Sequence, residues 1–288
     1  SMVMALVLLI VLFYFLTGGK LLKPLNITNL ILQNGYILIL AIGMLLVIIT
    51  ARIDLSVGSI VAFVGAIAAI MIVNMKIGVI PTILVCLVVG ALIGAWQGFW
   101  TAYIKIPAFI TTLSSMLIFR GLTIAVLDGR SIGPFPDSFR AISSSFVPDI
   151  VSEPIMLFGA QLNLTALIAG FLICLYIVFR DVNKRRAKSK YGFDTMAIWF
   201  FIIKQVIMCG ATMAFFYLLA AYNGIPTLLI ILIVLIVIYS FVTSKSVIGR
   251  RIYAVGGNES AARLSGINTK RLVFATNVNM GVLSAIAG

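Results

Sequence analysis

Apolar segments long enough to cross a bilayer follow one another along almost the whole chain, and that repetition restricts the fold more than any other feature. A helix needs ~20 predominantly apolar residues to span the hydrocarbon core, where every backbone polar group must be satisfied internally. Such runs lie near Met2–Leu16, Leu30–Thr50, Leu55–Val73, Pro81–Tyr103, Ala108–Leu127, Leu162–Phe179, Met196–Leu219 and Ile225–Val242, and a ninth opens near Leu272. The chain is 62% hydrophobic and 10% charged, with a mean hydropathy of +1.20, far beyond a globular domain. It therefore reads as an all-α, polytopic helical membrane protein, a single transmembrane domain over residues 1–288. Ser1 opens inside one apolar run and Gly288 closes inside another, so about nine spans are expected here, with others missing at both ends.

The charges orient these spans. Lysine and arginine concentrate in cytoplasmic loops, and short loops carry the signal. Placing Lys184, Arg185, Arg186 and Lys188 inside puts Lys105, Lys245, Arg250, Arg251, Arg263, Lys270 and Arg271 inside as well. The loop from Asp128 to Gln161 then lies outside, while Lys20, Lys23 and Lys76 dissent. The balance puts the N-terminus in the cytoplasm. A net charge of +13 thus follows from membrane topology and needs no nucleic-acid partner.

Much chemistry is excluded. Without histidine there is no Ser-His-Asp arrangement and no His-ligated metal. No phosphate-binding Gly-x-x-x-x-Gly-Lys loop occurs, so nucleotide hydrolysis by that route would fall to another chain. Cys86, Cys174 and Cys209 lie in apolar spans and have no disulfide or metal spacing. No catalytic residue and no metal ligand is expected.

Polar residues at membrane depth are costly and so informative. Ile53-Asp54-Leu55-Ser56-Val57-Gly58-Ser59 falls at the junction of two spans. Asp54 and Ser56 there suit either a plain N-cap or a helix broken in the protein interior, with Ser59 one turn on. Gly58, Ala62 and Ala66 recur every four residues, a small-residue stripe that suits close helix packing. Arg120 sits inside its span and needs a partner or a watery cavity. Lys204 can snorkel, and Asn277 and Asn279 can hydrogen-bond between helices.

Within the cytoplasmic loop 244–271 lies a short polar helix with its own start and stop signals, Gly256-Gly257-Asn258-Glu259-Ser260-Ala261-Ala262-Arg263-Leu264-Ser265-Gly266-Ile267. Asn258 is a good N-cap, Glu259 suits the positive end of the helix dipole, and Gly266 suits the stop. Glu259 and Arg263, four apart, are expected to pair on one face. Two turns are too short to be stable alone in water, so the segment docks on its own membrane domain or on a partner.

The ordered set Ile53–Ser59, Pro107–Leu113, Phe119-Arg120-Gly121, Gly249–Asn258 and Ala261–Ile267 resembles the membrane permease of bacterial ABC sugar importers of the ribose/xylose type. The resemblance runs from the second span to the chain end. The basic stretch around Arg180–Asp194, ahead of an extra span, is most similar to the xylose or multiple-monosaccharide branch. The resemblance implies an inner-membrane subunit that passes a monosaccharide. It makes Gly257, Asn258, Glu259, Ala261, Ala262, Arg263, Leu264 and Gly266 a coupling helix seated in a groove of a separate ABC ATPase subunit. ATP would be bound on that partner, and no cofactor on this chain. It further implies delivery by a periplasmic sugar-binding protein, a second permease copy beside the first, and a place near the translocation path for Asp54, Ser56, Gly58 and Ser59. Arg52 departs from the pattern, because many relatives carry a small, polar or acidic residue there. Three rivals stand beside this reading: a related permease for branched-chain amino acids or an autoinducer, an ion-coupled secondary transporter, and a structural membrane subunit.

Overall fold

A computed structural model describes residues 2–150, 155–157, 160–193 and 197–288. In chain order the helices begin with α1 (Met2–Leu16), α2 (Pro24–Ile49), α3 (Val57–Ala69), α4 (Val79–Ala102), α5 (Ala108–Leu127) and the short α6 (Asp137–Ser144). An antiparallel pair of three-residue strands follows, β1 (Ile155–Leu157) and β2 (Ala160–Leu162), with Met156 opposite Gln161. Then come α7 (Leu164–Lys190), α8 (Ile198–Ala220), α9 (Thr227–Lys245), α10 (Val247–Gly257), α11 (Glu259–Leu264) and α12 (Thr269–Ala287). Among the described residues seven helices are long and apolar enough to cross a membrane: α2, α3 with the π turn that extends it to Asn74, α4, α5, α7, α8 and α9. The architecture is all-α and polytopic. At 15 residues α1 is about 22 Å long, and α12 is diluted by Lys270, Arg271, Thr276, Asn277 and Asn279.

Expected boundaries shift in two helices: α2 begins at Pro24, six residues ahead of Leu30, and both ends of α7 move. Leu162 ends β2, and the sixth span starts at Leu164 because the Asn163 side chain caps it, accepting from Ala166 N–H at 3.0 Å. That helix also runs past Phe179 through the basic stretch to Lys190. Asp181 is thereby helical, and it takes Lys204 of α8 at 2.7 Å, so Lys204 is paired and does not simply snorkel. The expected start at Met196 lies outside the described residues.

The chain packs as two compact units. One comprises Ser1–Gln33 and Ser143–Leu229. Its core joins Leu162 and Ala166 to Phe216, Ala220 and Ile225, and Gly170 of α7 lets the Phe216 ring of α8 lie against the backbone. Asp149 pins the preceding loop to α7, accepting from the amides of Leu164 (2.9 Å) and Thr165 (3.0 Å) and from the Thr165 hydroxyl (2.8 Å). These are two of the donors that the first turn of a helix leaves unpaired.

The other unit comprises Asn34–Ile142 and Ile230–Gly288. Its seam is α4 against α12. Gly90, Gly94 and Gly98, one turn apart, face Gly281, Asn277 and Phe274 so closely that a Cβ at Gly90, Gly94 or Gly281 would strike the opposing backbone. With lipid as apolar as leucine, helices associate through such close backbone packing. Met280, Leu283 and Ser284 of α12 are consequently fully buried. The expected stripe on α3 is not used this way. Gly58 and Ala62 are exposed, nothing lies within 4 Å of a Cβ built at Gly58, and only Ala66 is buried. Asn279 does bond between helices, accepting from the Tyr239 hydroxyl of α9, whereas Asn277 donates to Val273 O on its own helix at 2.8 Å.

Candidate functional site

Two segments of the second unit carry the residues of interest, and they meet. The first is the connection 50–56. Helix α2 ends in a left-handed turn at Ala51 (φ +58), with Arg52 N–H donating to Val47 O at 3.2 Å. Asp54 is only 2% exposed, and its Oδ1 accepts from Ser56 N–H at 2.8 Å and from the Ser56 hydroxyl at 2.6 Å. Ser56 Oγ in turn accepts from Gln97 Nε2 of α4 at 2.7 Å. The connection is thus tied to α4 by a fully buried polar relay.

Asp54 therefore does not cap α3. Ser56 occupies the N-cap position without a side-chain cap bond, and Asp54 closes the turn before it. The other carboxylate oxygen of Asp54 is buried without a partner. Burial pushes its pKa above the usual carboxylate value, opposed by the hydrogen bonds from Ser56. Ser59 is half-buried in the first turn of α3, and Gly58 faces outward.

The second segment is α10 with α11. Gly256 and Gly257 close α10, whose buried face is Gly249, Ile252 and Val255, so they do not lead the polar helix. Gly256 lies against Ile49 O at the end of α2, with no room for a Cβ. Asn258 then breaks the helix and caps α11, its Oδ1 accepting from Ala261 N–H at 2.9 Å. The stop is a Schellman motif. Gly266 N–H reaches Arg263 O and Ile267 N–H reaches Ala262 O, both at 3.1 Å, and Gly266 sits at φ +82, where a side chain would be strained. Of residues 257–266 only Ala262 is buried. Leu264 is 89% exposed.

The expected Glu259–Arg263 pair does not form. Glu259 Oε2 instead accepts from Arg52 Nη2 at 2.9 Å, while Arg52 Nη1 donates to Thr50 O at 2.9 Å. The geometry favours Arg52 because its guanidinium is held by the connection and needs no further ordering to meet the carboxylate. Beside this pair opens a cleft of about 360 Å³, rimmed by Lys105, Arg263 and Lys270 and floored by Thr101, Thr269 and Val273. Residues that span counting put on the cytoplasmic side thus converge at one end of the unit. Among the described residues no cluster of His, Cys, Asp or Glu is placed to hold a metal ion.

The family described as the permease component of branched-chain amino acid transport systems matches residues 26–288. The xylose transport system permease protein of Escherichia coli is 36% identical over 287 residues, which cover all of this chain and 70% of that protein. The chain belongs to this permease family. Its similarity to the xylose transport system permease protein of Haemophilus influenzae is 34%, over all of this chain and 73% of that one. The ribose import permease protein of Escherichia coli is 29% identical, over 91% of this chain and 60% of its own length. No solved structure matches significantly.

In this permease the pieces that sequence reasoning passed over are Gln97, the Gly90–Gly94–Gly98 repeat and α10. The first two had visible signals, a lone amide within an apolar span and small residues every four positions. Helix α10 did not, because residues 247–257 read as a basic loop.

Proposed function

We propose that the permease is the membrane subunit of an ATP-driven importer of the ABC class that passes a monosaccharide, xylose or a close relative, across the bacterial inner membrane. The observation that carries this reading is the bare α11. A six-residue helix with both ends capped, one residue buried and Leu264 in solvent is built to be held by something else. We assign Gly257 to Gly266 as the surface that seats in an ATPase subunit, which binds and hydrolyses the ATP. The 1–288 region acts as one permease domain, paired with a second copy and served by a periplasmic sugar-binding protein. Asp54, Ser56, Gly58 and Ser59 lie near the path in this reading. Sugar is favoured as cargo because the xylose permeases align over the entire chain.

Leu264→Asp in the native protein tests the assignment. Burying a carboxylate in an apolar socket should cut ATPase recovery in mild detergent at least tenfold and abolish xylose uptake, with membrane insertion intact. Undiminished recovery of the ATPase would sink the reading. A second cargo, branched-chain amino acids, has support in the family description. Competition of labelled xylose uptake by excess leucine would favour it, and competition by ribose alone would exclude it.

A further inference from the structure

We infer that Arg52 is a positioning residue that ties the coupling helix to the buried relay at the head of α3, an inference that rests on the role proposed above for α11. Helix α11 has little hold of its own on the membrane helices, since Ala262 is its one buried residue. Its link to the connection 50–56 is the Arg52–Glu259 pair, with the Arg52 side chain only 18% exposed. A charge-assisted bond with one partner half-buried and pinned is stronger than an exposed surface pair.

No slack separates this link from what lies behind it. Arg52 is fixed at its second nitrogen by Thr50 O and at its amide by Val47 O. Two residues further, Asp54 holds Ser56, and Ser56 holds Gln97 of α4. Displacement of Glu259 therefore pulls on the segment that sets the start of α3 and its grip on α4.

The link is also releasable. Arg263, one turn along α11, and Lys270 line the same cleft. Glu259 borders that cleft too, so a carboxylate leaving Arg52 has other cations beside the same space. A second arrangement, selected by where the partner holds α11, is what a switch requires.

The test is reconstitution of the native permease with its ATPase and binding protein in proteoliposomes, measuring xylose uptake and ATP hydrolysis together. Arg52→Gln, outside the docking surface, should lower sugar moved per ATP hydrolysed about five- to tenfold while hydrolysis continues, and Glu259→Gln should lower the same ratio. The exchange Arg52→Glu with Glu259→Arg should restore most of the ratio. An unchanged ratio in the single variants overturns the inference, as does a parallel loss of uptake and hydrolysis that the exchange leaves unrepaired, which is the mark of a merely structural pair. If the Gln variants do not fold, Arg52→Lys and Glu259→Asp serve, and an unchanged ratio in both again overturns it. Leu264→Asp separates the two proposals. ATPase recovery lost in Leu264→Asp but an intact ratio in Arg52→Gln removes the link alone, whereas recovery kept in Leu264→Asp removes the docking role beneath it.

Discussion

Arg120 lies about 18 Å along α5, near the middle of a span, and its side chain is exposed. Among the described residues it has no acidic partner. A guanidinium at the bilayer centre costs about 2.5–3.5 kcal/mol on insertion scales, so this face of α5 is expected to meet water or a second subunit rather than lipid. Arg120→Cys in the native protein should react with a membrane-impermeant thiol reagent, while Leu92→Cys on α4 stays unlabelled. An unreactive Arg120→Cys would exclude a water-filled space on this face of α5. At this scale the sequence was legible wherever a residue acts locally. Asn258 and Gly266 do at the ends of α11 what their side chains and backbone preferences dictate. Glu259 was misread because spacing along a helix reveals neighbours on that helix and says nothing of Arg52, 207 positions away. Asp54 was half-read. Its polarity marked the right turn, but the relay through Ser56 needs Gln97, and only the packing of α4 brings that amide close.

Among the elements, α7 shows how a helix start can carry a pH dependence. Asp149 accepts hydrogen bonds at the head of α7, and its pKa is lowered; desolvation works against this, and the bonds from Thr165, Leu164 and Ile150 outweigh it. A carboxylate with a depressed folded pKa lends stability that is complete above its unfolded value, about 3.9, and is lost as pH falls through the lower folded value. Normalised amide-exchange protection at Leu164 and Thr165 should therefore hold down to about pH 4 and fall below it. Asp149→Asn should be less protected at neutral pH and insensitive over that acidic window. Protection in Asp149→Asn equal to that of the parent at pH 7 would contradict the capping role. The spans themselves were legible by length, yet their packing faces were not. A helix surrounded by lipid and other apolar helices has no polar side to betray its orientation. Hence the stripe of Gly58, Ala62 and Ala66 was read as a packing face while the Gly90–Gly94–Gly98 repeat was passed over, and only the fold separates them.

For the whole molecule, scarcity of charge within the spans is the property that matters. A neutral, hydroxyl-rich solute is recognised through many hydrogen bonds, and a path meant to release its cargo quickly should hold it weakly. Purified native permease without its binding protein should accordingly bind xylose with a Kd weaker than about 1 mM, or less than about 4 kcal/mol of affinity, by calorimetric titration. Micromolar binding would place recognition in the membrane and contradict that division of labour. At this scale the charges were informative in one respect: Lys105, Arg263 and Lys270, put on one side by span counting, gather with Arg52 around one cleft.

The glycine seam between α4 and α12 carries a last implication. Where two backbones touch, no side chains lie between them to change rotamer, so the pair cannot creep past one another by small repackings. The two helices behave as one stiff rod. Helix α11 is joined to one end of that rod through the short turn 265–268, and compliance is left to that turn and to the π turn at Ile70–Asn74. A push received at α11 would arrive across the membrane as the motion of a beam, with the bending confined to its mounts.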